Sequence, residues 1–73
     1  MKLLIVDDEY IAVEGVMNGV NWESLGFEQV LQAYSYSEAV AVFQKNYVEI
    51  MICDIEMPDG TGLELVGWVN AHS

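Results

Sequence analysis

Seventy-three residues, 53% of them apolar and 19% charged with a single proline, describe one small domain that folds or associates in order to fold, and exclude an intrinsically disordered chain. Two lysines, Lys2 and Lys45, against twelve acidic residues give a formal net charge of −10, which excludes direct nucleic-acid binding, because the phosphate backbone needs clustered Lys and Arg. The apolar runs at residues 3–6 and 50–53 fall far short of the roughly 20 residues that span a membrane, and no signal peptide opens the chain, so a cytoplasmic protein is expected.

Lys2–Val6 is a continuous apolar run closed by two aspartates, the pattern of a strand buried on both faces, and is expected as β1. Tyr10, Val13, Val16, Met17 and Val20 then recur at spacings of three and four, which predicts an amphipathic helix α1 over residues 9–20. Asp8 or Glu9 would stand near its start, where carboxylates favour the helix dipole. Asn21-Trp22-Glu23-Ser24-Leu25-Gly26 breaks the period, and Phe27, Val30 and Ala33 mark β2 over residues 27–34. Ser35-Tyr36-Ser37-Glu38 matches a capping box, in which the serine caps a helix and the glutamate reaches back to its amide; α2 should follow to residue 46. Residues 48–53 form a second buried-strand run, β3, again ended by an aspartate. Turn residues follow at Met57-Pro58-Asp59-Gly60, and Thr61-Gly62-Leu63-Glu64 offers another capping box before Leu63, Val66 and Val69 set the stripe of α3. No linker or repeat divides the chain, so residues 1–73 are treated as one unit.

The order β-α-β-α-β-α argues for an α/β fold with a parallel sheet and right-handed crossovers, and in such sheets ligands bind outside the carboxyl ends of the strands. Asp7 and Asp8 end β1, and Asp54 ends β3. If those strands are neighbours, three carboxylates meet at one edge of the sheet, where like charges resist ionisation unless a cation joins them. An aspartate pair after a strand is more simply a helix cap when nothing else is known; Asp54 and Met57-Pro58 shift the balance toward a site. The lone Cys53 suits a buried, reduced thiol. Thr61 reads as an N-cap, His72 as an exposed residue, and Trp22, Phe43 and Trp68 as packing residues.

Leu4-Ile5-Val6-Asp7-Asp8-Glu9 and Ile52-Cys53-Asp54-Ile55-Glu56-Met57-Pro58, followed by Gly62, together resemble the receiver family of two-component signalling. The 46 positions from Asp8 to Asp54 accommodate a helix, a strand and a second helix. Asn21-Trp22…Leu25-Gly26-Phe27 is also similar to receivers that precede AraC-type DNA-binding domains. The resemblance implies a flavodoxin-like receiver fold, here (βα)3 with strand order 2-1-3. It further implies that Asp54 accepts a phosphoryl group from a phosphohistidine on a sensor histidine kinase. Mg²⁺ would be held by Asp8 and Asp54, with the Glu56 backbone carbonyl as a further ligand and Asp7 holding a metal-bound water. On this reading the chain is a signalling module in transcription regulation and not an enzyme.

A whole receiver has five βα units, so residues 1–73 are expected to be a truncated receiver domain lacking the fourth-strand Ser or Thr and the fifth-strand Lys. Lys2 and Lys45 cannot substitute by position. Phosphotransfer should then be impaired, and the β3 edge should be covered, most simply by homo-oligomerisation. The alternative is a receiver-like binding or assembly module without phosphotransfer. A haloacid-type hydrolase, which also uses a strand-end aspartate, is disfavoured because Glu56 is followed by Met57 and Pro58.

Overall fold

In the computed structural model, which describes residues 1–54, 56–57 and 59–72, β1 (Lys2–Val6) is the central strand of a three-stranded parallel sheet. It pairs with β2 (Gln29–Ala33) on one side and β3 (Ile50–Cys53) on the other, in the expected order 2-1-3. Leu4 stands between Leu31 and Met51, and Ile5 between Gln32 and Ile52. The uninterrupted run of apolar residues in β1 is explained by this position: Leu3, Leu4, Ile5 and Val6 are all buried, as both faces of a central strand in a βα sheet must be. Parallel neighbours require long crossovers, which α1 (Tyr10–Gly19) and α2 (Tyr36–Lys45) supply.

The two-residue alternation of the strands divides the core. Leu4, Val6 and Ala33 face α2 and α3 (Gly62–His72), where they pack with Ala39, Met57 and Leu65. Leu3 and Ile5 face α1 and pack with Val13, bordered by Met17, Trp22, Phe27 and Val30. Trp22 lies edge-on to Phe27 at 5.9 Å, and Phe43 edge-on to Trp68 at 6.4 Å, so all three expected packing aromatics do pack.

Several elements differ from the sequence-based expectation for identifiable reasons. The connection after α1 tightens into a 3₁₀ turn at Glu23–Leu25, closed by Gly26 at φ 91°, a left-handed conformation that glycine adopts without a Cβ clash. Its amide donates to Glu23 O at 3.0 Å, and the Phe27 amide to Trp22 O at 3.0 Å, which delays β2 to Gln29. The strand β3 begins at Ile50 and is not buried on both faces: Ile50 and Ile52 are 43% and 44% exposed, because α1 covers β1 and β2 but not this outer strand. Cys53, on the opposite face against the cluster under α2 and α3, is half-buried and not fully buried as expected.

Both capping boxes form, with one variation. Thr61 Oγ1 accepts from the Glu64 amide at 3.1 Å while the Glu64 carboxylate accepts from the Thr61 amide at 3.2 Å, the full reciprocal pair. Ser35 Oγ accepts from the Glu38 amide at 3.1 Å, but the Glu38 carboxylate reaches one residue further back, to the Tyr34 amide, at 3.1 Å. Between β3 and α3 the chain forms a short antiparallel ladder of β4 (Glu56–Met57) and β5 (Gly60–Thr61). Of the expected turn at residues 57–60, Pro58 lies outside the described residues, as do Ile55 of the second motif and Ser73. Among the described residues no helix is long and apolar enough to cross a membrane.

Candidate functional site

The carboxyl ends of β1 and β3 are held by hydrogen bonds that extend the sheet one step beyond its strands. The Asp7 amide donates to Ala33 O at 3.1 Å, and the Asp54 amide to Val6 O at 2.8 Å. Both backbone positions are thus tied to the rigid centre of the sheet. From there, one carboxylate oxygen from each of Asp7, Asp8 and Asp54 lies within 4.8 Å of the others. Asp8, Glu9, Asp54 and Glu56 line an open cleft at the same edge.

Neither aspartate of the first motif caps α1. The N-cap is Glu9, in extended conformation and without a side-chain cap hydrogen bond, so an acid stands at the helix start as expected, although none lies within the first turn. Asp7 Oδ1 instead accepts from the Glu9 amide at 3.0 Å, a local turn that steers the chain out of the strand. Glu56 reaches the cleft through the two-residue period of β4: its neighbour Met57 is turned into the core, so Glu56 is turned out of it. Thr61, opposite Glu56 in the ladder, spends its hydroxyl on the cap of α3.

Among the described residues the ligand atoms gathered at this edge are carboxylate oxygens, the chemistry a hard divalent cation such as Mg²⁺ takes. Cys53 does not add a soft ligand. Its thiol donates to Asp54 O at 3.2 Å, and burial, reinforced by the charges of Asp54 and Asp7, pushes its pKa up and keeps it protonated. No lysine is at hand to offset the acids. Lys2 begins β1, about 16 Å from Asp7 at the usual rise per strand residue, and Lys45 ends α2.

One residue at this edge was expected only as part of a turn. The Asp59 carboxylate accepts from the amides of Tyr36 (2.8 Å) and Ser37 (3.1 Å) and from the Ser37 hydroxyl (2.8 Å). The bond from the Ser37 hydroxyl, and then those from the two amides, hold its carboxyl below the usual carboxylate range. These contacts join the segment after Asp54 to the first turn of α2. The partners are 22 and 23 residues apart, beyond the reach of any local pattern.

Residues 3–73 match the family described as the response regulator receiver domain. The chain is 38% identical over 72 residues to the uncharacterized transcriptional regulatory protein YesN of Bacillus subtilis, covering 99% of this chain and 20% of that protein. It is similar to the crystal structure of a two component transcriptional regulator AraC from Clostridium phytofermentans, with TM-score 0.92 and 32% identity over 99% of this chain and 58% of the other. A response regulator receiver protein from Pseudomonas putida aligns with TM-score 0.81 and 25% identity, over 96% and 56% of the two chains. The chain thus spans about a fifth of the length of YesN.

Proposed function

The chain belongs to the response regulator receiver domain family, and from that premise we propose that Asp54 takes a phosphoryl group from a phosphohistidine on a sensor histidine kinase, with Mg²⁺ at the acidic edge of the sheet. The observation that carries the reading is the convergence of Asp7, Asp8 and Asp54 within 4.8 Å at the carboxyl ends of two adjacent strands. Asp8 and Asp54 would hold the cation directly, Glu56 through its backbone carbonyl and Asp7 through a water. When bound, Mg²⁺ offsets the carboxylate repulsion and the charge developing on the phosphoryl oxygens.

An Asp54 carboxylate oxygen attacks phosphorus as the P–N bond to the kinase histidine breaks. The new O–P bond is an acyl phosphate, and the histidine nitrogen leaves with the bonding pair and takes a proton. The chain contributes chiefly position, because the Asp54 backbone is fixed to β1 and a prealigned nucleophile removes much of the entropic barrier. With Lys2 and Lys45 both away from this edge, no basic side chain of these 73 residues meets the phosphoryl charge, so labelling is expected to be slow. The wider reading is a cytoplasmic signalling module, not an enzyme acting on other substrates, that serves transcriptional control as its relatives' names suggest.

Mg²⁺-dependent labelling by acetyl phosphate tests the assignment. Wild type should incorporate label and Asp54→Ala should not; label persisting in Asp54→Ala overturns it. Absence of label in wild type would favour a second reading, an assembly module without phosphotransfer. That reading rests on β3, which pairs on one side only among the described residues and carries the half-exposed Ile50 and Ile52. A second copy of this chain would cover them, and screening of the −10 net charge by salt would strengthen the association. Sedimentation equilibrium decides it: a well-folded monomer at high micromolar concentration excludes self-association.

A further inference from the structure

We infer that Asp59 is a positioning residue for the acidic cleft: its carboxylate tethers the β4–β5 ladder to the first turn of α2 and thereby holds Glu56 beside Asp8 and Asp54. The inference rests on the cation-site reading above for its consequence, but the tether is visible in contacts independent of it.

The ladder consists of two residue pairs, Glu56 with Thr61 and Met57 with Gly60. Two strands of that length do not sustain themselves in water, so their position depends on what they are fastened to. One fastening is Met57, buried against Leu4, Val6 and Leu65. A second is Gly60, over which the Tyr36 ring lies so closely that a Cβ would come within 2.7 Å of Tyr36 Cδ2. The third is Asp59, which spans Tyr36 and Ser37 with three hydrogen bonds. Tyr36 therefore takes part twice, its amide to Asp59 and its ring against Gly60.

The helix does not need Asp59 as its cap. Ser35 already occupies that role, accepting from the Glu38 amide. Moreover, the two amides taken by Asp59 are at an exposed helix end, where water would replace the carboxylate. Losing Asp59 should therefore leave α2 in place and release the ladder. Since Glu56 is part of that ladder and lines the cleft with Asp8 and Asp54, the release is felt at the site. Outer residues that orient metal ligands act in the same way.

The experiment compares wild type, Asp59→Ala, Ser35→Ala and Asp8→Asn by calorimetric titration with Mn²⁺ and by amide hydrogen exchange of the metal-free proteins. Ser35→Ala removes the cap of the same helix end and the 3.3 Å contact between the Ser35 and Ser37 hydroxyls but leaves all three bonds to Asp59 in place, and so reports what a merely structural loss does. Asp59→Ala should bind Mn²⁺ roughly tenfold more weakly than wild type, with faster exchange in residues 56–61 than in Ser35→Ala, while Ser35→Ala keeps wild-type affinity. Asp8→Asn should lose binding outright. Equal affinities in Asp59→Ala and wild type, or an equal loss in Ser35→Ala, overturn the inference. If wild type itself binds no Mn²⁺, the cation-site reading falls, and exchange alone decides the tether: faster exchange in Asp59→Ala upholds it and unchanged exchange overturns it. Should Asp59→Ala not fold, Ser37→Ala removes one of the three bonds and supports the same comparison.

Discussion

On the face of the sheet formed by Leu4, Val6 and Ala33, two helices and Met57 close over the strands, and all of these residues are buried. On the opposite face Leu3 and Ile5 are equally buried beneath α1, yet Ile50 and Ile52, one strand away, stand 43% and 44% exposed. The residues concerned are all aliphatic and all in strands of one sheet. What separates them is coverage by a crossover: α1 packs over the β1–β2 side of its face and leaves β3 open, whereas α2 and α3 together cover theirs. Apolar character makes a strand residue fit for burial, and the neighbouring element decides whether burial occurs.

Truncating a side chain on each face should sharpen that contrast. Leu65, fully buried between α3 and the sheet, should lose about 3 kcal/mol of stability on Leu65→Ala, the usual cost of emptying a packed leucine site. Ile52→Ala should cost under about 1 kcal/mol, because much of that side chain already faces water. Urea unfolding at low protein concentration measures both. A cost at Ile52 equal to that at Leu65 would break the comparison, and would mean that β3 is covered in solution.

The smallest expected effect is a pH dependence on the closed face, where Asp59 helps to hold Met57 in place. Its folded carboxyl lies below the usual range, through the Ser37 hydroxyl and the Ser37 and Tyr36 amides. The ionised form is therefore the one that stabilises: its contribution is present above the unfolded carboxylate pKa of about 3.9 and is lost as pH falls through the depressed folded value. Wild type should exceed Asp59→Asn in melting temperature at pH 6, and the gap should close in strong acid. A gap that stays constant down to pH 2 would show that the carboxylate charge is not what matters.

Much of this architecture was readable in advance because it depends on contacts close in sequence. The aspartates that stop β1 and β3, the helical spacing of α1 and the Thr61–Glu64 box are all local signals, and sheet order followed from the family resemblance. Convergence of Asp7, Asp8 and Asp54 required only that β1 and β3 be neighbours. What escaped depends on distant partners. The exposure of Ile50 and Ile52 reflects which face α1 covers, and Asp59 found its partners on a separate helix. The 3₁₀ turn before Gly26 is a different case: it is local, and the helix-breaking run around Asn21 and Gly26 marks its place without specifying its form.

The two tryptophans are divided between the two faces of the sheet. Trp22 borders the cluster under α1, with its Nε1–H donating to Met17 O at 3.1 Å, while Trp68 stands on α3 between the Phe43 ring and the His72 ring stacked at 4.3 Å. Each face thus carries its own intrinsic fluorophore in a distinct electronic setting. Trp22→Phe and Trp68→Phe would yield two single-colour versions of one protein, in which the loosening of the half-covered face can be timed apart from that of the closed one.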